Sequence, residues 1–468
     1  MAGHSHRRQK NARTATRRKK LPPFALKLDM CLTFQYLADS SRLAIYTSGN
    51  LNRPTAEPFP ATHHAVKSAR FTFLSLILFS LLLLGAGSAS VTNLSVTPRV
   101  PWNGLVDITY SLECDSASDF LTVSFHGYNG DWDEFIPMGS LSGDGAGSAL
   151  LKAGGPYHAV WNSAADWPGG HSSEFIVSVD AEKPRYLVVD LNTGAVTPSS
   201  TGPDLNDDAC RTTQLWLRHI PKGTFTMGAP TTEKGWFDNE TRRQVTLTQD
   251  FYIGVFEMTQ KQYSLVYGSN PSKYLGDTRP VERVTYKAIR GMGSTASSGW
   301  PYRGHTVGSD SFLGKLNAKT GMVFDLPTEA QWEYACRAGT ATAFNTGKNL
   351  TAFKQDSAMD EAGRYFHNRT DGKGGYGEHT KVGSYMPNAW GLYDMHGNVL
   401  ECCLDWYKDY PDTPPVTDFT GTASGSHRVV RGGGWQFDAQ YCRTAVRFNY
   451  EDPVIDDFIG GFRVVLLP

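Results

Sequence analysis

The sequence predicts an α+β protein in two parts, a small antiparallel β-sandwich followed by an irregular α+β domain. Three observations predict this class. Short β-rich runs separated by Gly, Asp, Ser and Asn turns recur over residues 91–191. Beyond residue 213, helical periodicity is scarce and only two helices are signalled. The 47 Gly, 25 Pro, 21 Tyr and 11 Trp indicate a loop-rich, aromatic-rich protein, and they exclude a coiled coil or a collagen.

The front of the chain predicts export. Residues 1–65 carry eleven Lys and Arg against three acids, which is typical of a disordered leader; binding to nucleic acid or anionic lipid is the alternative. Residues 71–84 form an uncharged apolar run, shorter than the roughly 20 residues of a membrane-spanning helix and suited to the core of a signal peptide. The small residues Ser88 and Ser90 predict cleavage near Ser90.

A basic leader of 65 residues is abnormal for a signal peptide. We therefore predict that translation starts at Val66, that residues 66–90 are the signal peptide, and that residues 1–65 are not translated. The alternative is a type II membrane anchor with a basic cytoplasmic tail, and N-terminal sequencing of the product distinguishes the two. The remaining residues hold 32 basic and 43 acidic side chains, so no nucleic-acid partner is expected. We expect a periplasmic, cell-surface or secreted protein with no stable membrane span after cleavage.

Residues 91–191 are predicted to form the sandwich, because short strands alternate there with turn signals. Its tryptophans either line a sugar-binding face or pack in the core, and no catalytic constellation accompanies them. The tryptophans are Trp102, Trp132, Trp161 and Trp167. The predicted strands cover residues 91–96, 106–112, 121–125, 175–179 and 186–189.

Residues 192–212 are rich in Gly, Pro, Ser and Asp and are predicted to be a linker to the second domain, residues 213–468. One helix of that domain is predicted after Thr328, an N-cap that forms a capping box with Gln331, and it ends before Gly339. A second helix is predicted over residues 259–268. Strands are predicted at residues 244–248, 251–256, 429–431 and 461–467.

Seven sequence blocks of this second domain occur in an order that carries a family resemblance. They lie at residues 220–228, 251–259, 280–286, 325–335, 391–399, 431–435 and 460–464, and the block DLPTEAQWEYA is the most specific. The blocks span about 250 residues and resemble the formylglycine-generating enzyme / sulfatase-modifying factor family. The resemblance implies an irregular α+β fold related to C-type lectins.

The resemblance also implies a chemistry, the oxidation of a cysteine in a client polypeptide to formylglycine with molecular oxygen and copper(I) held by two thiolates. Tyr441 and Cys442 match the family pattern and are the predicted catalytic residues. Gly434, Phe437 and Asp438 stand where the family has a serine, the first cysteine and a histidine. Because one thiolate cannot make the two-coordinate site, copper is not expected here.

A structural calcium ion is the second implication of the resemblance. The family binds calcium just after the Gly-Leu-Tyr block, and the corresponding positions are Asp394, Gly397, Val399 and Glu401. Two carboxylates and two backbone carbonyls make the hard-oxygen set that calcium prefers. The alternative is that Asp394 and Glu401 only cap or solvate the turn.

Six of the seven cysteines follow the leader and can pair in an oxidising compartment, in 15 complete ways. They are Cys114, Cys210, Cys336, Cys402, Cys403 and Cys442. The resemblance implies a disulfide between Cys403 and Cys442, with Cys402 as the odd thiol. That bridge would leave no thiolate for metal binding or nucleophilic attack.

Two functions remain open at this point, and position 437 discriminates between them. The first is an exported protein that keeps the lectin-like fold and either recognises a peptide or glycan or has an altered activity. The second is an oxidase that matures sulfatases. No HxxxH or HExxH spacing predicts a zinc site, and the glycines at 432–434 lack the residues of a phosphate loop. Asp405, Asp438, Arg443 and Arg447 are predicted to form ion pairs on the surface or under loops, and the oligomeric state is not predicted.

Overall fold

The computed structural model describes residues 44–46, 89–291, 307–369, 377–409, 416–422, 425–451 and 460–466. The predicted signal-peptide core at residues 71–84 lies outside these ranges. Within them, no helix is both long and apolar enough to cross a bilayer.

The predicted β-sandwich is confirmed as two four-stranded antiparallel sheets, in the orders β1-β8-β4-β5 and β2-β3-β7-β6. Its edge strand β1 lies in the segment predicted not to be translated, ahead of the predicted signal peptide, and pairs with β8. Successive side chains of a strand point to opposite faces of its sheet, and this explains the packing of β3. Its core-facing residues are Val106, Ile108, Tyr110 and Leu112, and the residues between them are more exposed. The strands are β1 (Ala44–Tyr46), β2 (Ser90–Pro98), β3 (Leu105–Glu113), β4 (Thr122–Asn129), β5 (Glu134–Ile136), β6 (Leu141–Gly143), β7 (Gly154–Asn162) and β8 (Phe175–Glu182).

The four sandwich tryptophans divide between the two predicted roles. Trp161 is in the core and stacks on Phe175, with ring centroids 5.4 Å apart. Trp167 also stacks on Phe175, with ring centroids 5.6 Å apart. Trp102 and Trp132 are 62% and 76% exposed, so these two are the most accessible to a ligand.

The second domain begins earlier than the sequence suggests. Its main sheet has the order β10-β9-β11-β14-β21-β15, so β9 pairs with β11 and not with the sandwich, and β10 lies inside the predicted linker. Burial explains the assignment, because Leu187 and Val189 of β9 share a core cluster with Leu217 of β11. These strands are β9 (Tyr186–Asp190), β10 (Val196–Ser199), β11 (Gln214–Ile220), β14 (Phe251–Gly254), β15 (Phe324–Asp325) and β21 (Val465–Leu466).

Both predicted helices are confirmed, with their caps. Thr328 accepts a hydrogen bond from the backbone of Gln331, whose side chain bonds back to Thr328, and Thr259 caps the other predicted helix in the same way. Gly268 ends that helix in the left-handed conformation. The helices are α1 (Ser163–Asp166), α2 (Ala209–Thr212), α3 (Gln260–Tyr267), α4 (Tyr286–Arg290), α5 (Phe312–Thr320), α6 (Glu329–Arg337) and α7 (Ser357–Ala362).

Two smaller sheets complete the second domain, with the orders β12-β13-β17 and β19-β18-β16-β20. The last of these brings together the segments with the predicted site residues: Glu401 on β16 pairs with Arg431 on β18, and the Gly397 amide donates to the Gly432 carbonyl over 2.8 Å. The strands are β12 (Gly223–Met227), β13 (Arg243–Leu247), β16 (Leu400–Trp406), β17 (Val416–Thr417), β18 (His427–Arg431), β19 (Phe448–Glu451) and β20 (Gly460–Gly461). Short 3-10 turns cover Ala146–Ser148, Asp238–Glu240 and Ala439–Cys442.

Apolar and ionic contacts join the sandwich to the second domain. Phe120, just before β4, packs in the main core of the second domain against Tyr252, 6.3 Å between ring centroids. Lys183 ends the sandwich, and its ammonium lies 2.9 Å from Asp115, 2.7 Å from Asp119 and 2.7 Å from Asp250. Asp250 belongs to the second domain, so a single cation links carboxylates from both.

Candidate functional site

The site is built around a turn of two glycines that follows β18. Gly432 and Gly433 have φ values of +88° and +73°, which favour glycine. A Cβ added at Gly433 would lie 2.6 Å from the sulfur of Cys442. Only glycine at position 433 therefore lets the chain pass this close to the thiol of Cys442.

Cys442, one of the two predicted catalytic residues, is completely buried. It packs in an apolar cluster with Met359 and Tyr365, and its carbonyl accepts a 2.8 Å hydrogen bond from Nδ1 of His396. Burial raises the pKa of the thiol to about 12. Because the thiolate is the form that attacks electrophiles and binds metal, this burial disfavours both reactions.

Cys403 and Cys442 do not form the disulfide that the resemblance implied. Both are present as thiols in the structure. Cys403 lies on β16 in the main core, whereas Cys442 belongs to a separate apolar cluster. The predicted bridge is wrong for this structure because the two side chains are packed in different parts of the interior.

Tyr441, the other predicted catalytic residue, lies in a group of four half-buried aromatic side chains that we name the aromatic cluster: Phe237, Phe437, Tyr441 and Phe448. Tyr441 stacks on Phe237 at 5.9 Å, and Phe437 contacts Phe448 at 5.1 Å and Tyr441 at 6.1 Å between ring centroids. Phe437 is thus an integral part of a partly exposed aromatic surface. The sequence placed Phe437 and Tyr441 together, but Phe237 and Phe448 come from elements whose convergence it does not predict.

The copper site does not fit these residues. The position of the first family cysteine holds the Phe437 ring, and the remaining Cys442 is a buried thiol. In the part of the chain that the structure describes, the one group of three potential ligands within 4.8 Å of each other is Cys114, Asp115 and Asp119, in the sandwich. The ammonium of Lys183 already pairs with both of those carboxylates.

Calcium binding by the four predicted ligands stays a prediction, and the contacts of these residues within the protein are as follows. The Glu401 carboxylate accepts from Nε and Nη2 of Arg463, both at 2.6 Å, and from Nε1 of Trp332 at 2.7 Å. The Arg463 guanidinium therefore already balances the charge of this carboxylate. One Asp394 oxygen accepts from the Gly383 amide over 2.6 Å; the other is buried with no hydrogen-bond partner among the described residues. The amides of Gly397 and Val399 donate to Gly432 and Glu257.

Glu257 is a buried carboxylate of this region that the sequence reasoning missed. It accepts from the backbone amide of Val399 over 3.0 Å and from the side-chain amide of Asn398 over 2.5 Å. Burial, together with the neighbouring Asp394 and Glu401 carboxylates, raises its pKa well above the ordinary value. The sequence does contain a sign of this buried carboxylate, because Glu257 is a single charged residue between Phe256 and Met258 in an apolar block.

Three of the four polar residues predicted to form ion pairs, Arg443, Arg447 and Asp438, do form them. Arg443 is buried and contacts Glu240 at 2.7 Å and Glu233 at 2.6 Å, and Arg447 is buried against Glu329 at 2.5 Å. The pairs of Arg443 with Glu240 and of Arg447 with Glu329 are buried and serve the framework of the domain. Asp405 accepts the Glu329 amide over 2.7 Å. Asp438 pairs with His367 at 2.8 Å near the surface.

The fold and this site define an α+β protein with a glycine turn, a buried cysteine and an aromatic cluster, and the comparisons agree. Residues 205–467 match the family model described as Sulfatase-modifying factor enzyme 1-like domain. The chaperone protein LppX of Paenibacillus barcinonensis is 33% identical over 217 residues, 41% of this chain and 71% of that protein. A formylglycine-generating enzyme of Thermomonospora curvata is 37% identical over 256 residues, 48% of this chain and 83% of that protein.

Among solved structures, Treponema denticola variable protein 1 is similar over 55% of this chain and 96% of its own, with a TM-score of 0.44 and 25% identity. The family match covers more than half of the 468 residues. The chain therefore belongs to the sulfatase-modifying factor family.

Proposed function

We propose that this chain is an exported member of the family that binds a polypeptide segment on the aromatic cluster and does not carry out the two-cysteine copper oxidation. The observation that carries the proposal is Phe437. It stands at the first cysteine position and packs into a partly exposed aromatic surface with Tyr441 and Phe448. Aromatic side chains of this kind bury large area at low entropic cost when they bind peptides.

The relatives support a polypeptide as the ligand. One is named a chaperone protein and another a formylglycine-generating enzyme. A chaperone acts on polypeptides, and the resemblance implies a client polypeptide for the enzyme too. The simplest relation between this chain and its family is therefore that the chain keeps the site for a polypeptide and has lost the oxidation chemistry.

The alternative is that the chain still oxidises a client cysteine to formylglycine. Family membership favours it, and the chemistry of the site opposes it. Copper(I) requires two soft thiolates. Here Phe437 supplies none, and the pKa of about 12 keeps Cys442 protonated at neutral pH. An oxidase would need a ligand set that these residues do not provide.

The test uses a labelled probe peptide, Phe-Leu-Cys-Ala-Pro-Ala-Arg, which carries apolar residues and a Cys-x-Pro-x-Arg motif. We expect saturable binding by fluorescence anisotropy, and roughly tenfold weaker binding for Phe437→Ala, since loss of a central aromatic anchor typically costs more than 1 kcal/mol. Phe135→Ala is the matched control, because that phenylalanine is 66% exposed but lies on the sandwich. Binding that is unchanged in Phe437→Ala contradicts the proposal.

The oxidase alternative is tested on the same peptide. The native protein is incubated with the peptide, copper and a reductant, and the product is read by mass spectrometry. We expect no aldehyde. Aldehyde that appears in wild type and disappears in Cys442→Ser would establish the oxidase and reject the binding-only function.

A further inference from the structure

A histidine–aspartate pair lies beside the aromatic cluster, and the proposed function does not use it. Nε2 of His367 is 2.8 Å from Oδ1 of Asp438, and the two side chains are 23% and 26% exposed. A carboxylate only accepts hydrogen bonds, so Nε2 carries the hydrogen and donates. In the neutral imidazole the other ring nitrogen, Nδ1, presents a lone pair. This is the arrangement in which an acidic residue fixes the tautomer of a histidine.

Two aromatic neighbours of His367 hold its ring in place. Its ring packs against Tyr365 at 5.8 Å and Phe366 at 5.1 Å between centroids. Within the described ranges of the chain, Nδ1 makes no hydrogen bond, and the pair with Asp438 is the one polar contact of the imidazole. An available acceptor on an oriented ring is suited to a ligand, because no rearrangement is needed before it bonds.

The backbone connects this pair directly to the aromatic cluster. The Phe366 amide donates to the Phe437 carbonyl over 3.0 Å, and Asp438 follows Phe437 in the chain. The acceptor and the apolar surface are thus held on the same two segments. Apolar contact alone discriminates weakly between peptides, whereas a fixed polar group rejects a ligand that lacks its partner.

We propose that Nδ1 of His367 accepts a hydrogen bond from a thiol or hydroxyl side chain of the polypeptide bound on the aromatic cluster, and that Asp438 is the positioning residue. This inference rests on the proposed function and names the ligand group that the site selects. His367 is a specificity-determining residue, and no covalent step is involved.

The experiment compares three probe peptides that differ at one position, Phe-Leu-Cys-Ala-Pro-Ala-Arg and its Ser and Ala counterparts. For the wild type we expect the Cys and Ser peptides to bind roughly three- to tenfold more tightly than the Ala peptide, the range for one net hydrogen bond. In His367→Gln that difference should vanish, because the glutamine amide can replace Nε2 but offers no acceptor at the Nδ1 position. The Ala peptide should bind wild type and variant equally.

Two further variants separate a direct role from a structural one. His367→Asn carries an acceptor near the Nδ1 position and should restore part of the preference. Asp438→Asn should reduce the preference and alter the His367 tautomer seen in ring-nitrogen NMR, with the Ala peptide unaffected. Circular dichroism and the melting temperature confirm folding of each variant.

The outcomes are distinct. Equal binding of all three peptides by the wild type, or a preference that persists in His367→Gln, overturns the assignment of His367 and leaves polypeptide binding intact. Failure of every peptide to bind the wild type overturns the proposed function itself.

Discussion

Gly433 shows how strictly single residues determine this site. A methyl group there would meet the Cys442 sulfur at 2.6 Å, and the backbone has a φ of +73°. We expect Gly433→Ala to lower the free energy of unfolding by about 2–4 kcal/mol, since left-handed strain costs roughly 1–2 and overpacking roughly 1–3. Urea denaturation measures the loss.

Gly347→Ala is the matched control for Gly433→Ala. Gly347 has a similar φ of +80°, but no atom lies within 4 Å of its added Cβ. It should cost only the backbone strain, about 1 kcal/mol. Equal losses in the two variants would show that the contact with Cys442 does not matter.

Asp405 is expected to make stability depend on pH. Burial, with the charge of Glu329, raises its pKa from 3.8 to about 7, and one carboxylate oxygen is buried without a hydrogen-bond partner among the described residues. In the folded state the group holds a proton that the unfolded chain has already released. The stabilisation from this proton is therefore complete below about pH 4 and is lost as the pH rises towards 7.

Asp405→Asn removes that titration and keeps an oxygen that can accept the Glu329 amide. Relative to wild type, the variant should be stabilised at pH 8 by an amount on the order of 3 kcal/mol, and the two should converge near pH 4. Chemical denaturation of wild type and variant between pH 4 and pH 8 measures the two free energies of unfolding. A constant difference between the two proteins at every pH would rule out the Asp405 carboxyl as the source.

At the residue scale, the sequence showed which residues belong to the site more accurately than it showed what surrounds them. It located Tyr441, Cys442 and the phenylalanine at 437, because these stand in fixed order after the glycine turn. It could not show that Cys442 is sealed in an apolar cluster, or that Glu401 is held by Arg463, because those contacts join segments far apart in the chain. The disulfide prediction failed for that reason.

At the scale of the element, the contacts of β16 bear on the calcium prediction. Its Glu401 carboxylate is fully engaged by Arg463 and Trp332, so the strand offers no carboxylate to an ion. We expect the melting temperature to be the same in excess EDTA and in millimolar calcium, because a ligand that binds only the native state must stabilise it. Differential scanning fluorimetry measures the melting temperature in each buffer.

Glu401→Gln provides the internal comparison for this calcium test. It leaves the Arg463 guanidinium buried without its ionic partner, and such a change typically costs 3–5 kcal/mol. The variant should melt well below wild type in either buffer. A calcium-dependent rise in the wild-type melting temperature that is absent from Glu401→Gln would restore the calcium site.

Helices α3 and α6 were the elements best predicted from sequence. Their capping boxes are local, made by residues three apart, so nothing distant is needed to specify them. Strands were found with less accurate limits: the run predicted at 461–467 is in fact two short strands, β20 and β21, in different sheets. Pairing partners are set by tertiary contacts, which periodicity cannot encode.

At the scale of the whole molecule, Lys183 joins the sandwich to the family domain. Its side chain is 10% exposed and contacts Asp115, Asp119 and Asp250. We expect Lys183→Met to cost about 1–3 kcal/mol, the range for hydrogen bonds to charged groups, because three carboxylates would then face each other without their cation. Calorimetry should show a lower or divided unfolding transition.

Lys348→Met is the control for Lys183→Met. Lys348 pairs with Glu361 in the family domain, and both side chains are about half exposed. Exposed pairs contribute little, so this variant should change stability by less than about 1 kcal/mol. An equally small effect of Lys183→Met would mean that the apolar contact of Phe120 with Tyr252 alone holds the two parts together.

The strand β9 has a practical consequence for work on fragments. A piece cut at the family limit, residue 205, would lack both β9 and β10, although they complete the main sheet beyond β11. The amide and carbonyl groups of β11 that now face β9 would be open to solvent, and an open sheet edge recruits strands from other molecules. Aggregation of such a fragment would reflect the cut and not the intact protein, so a stable family domain has to start before Tyr186.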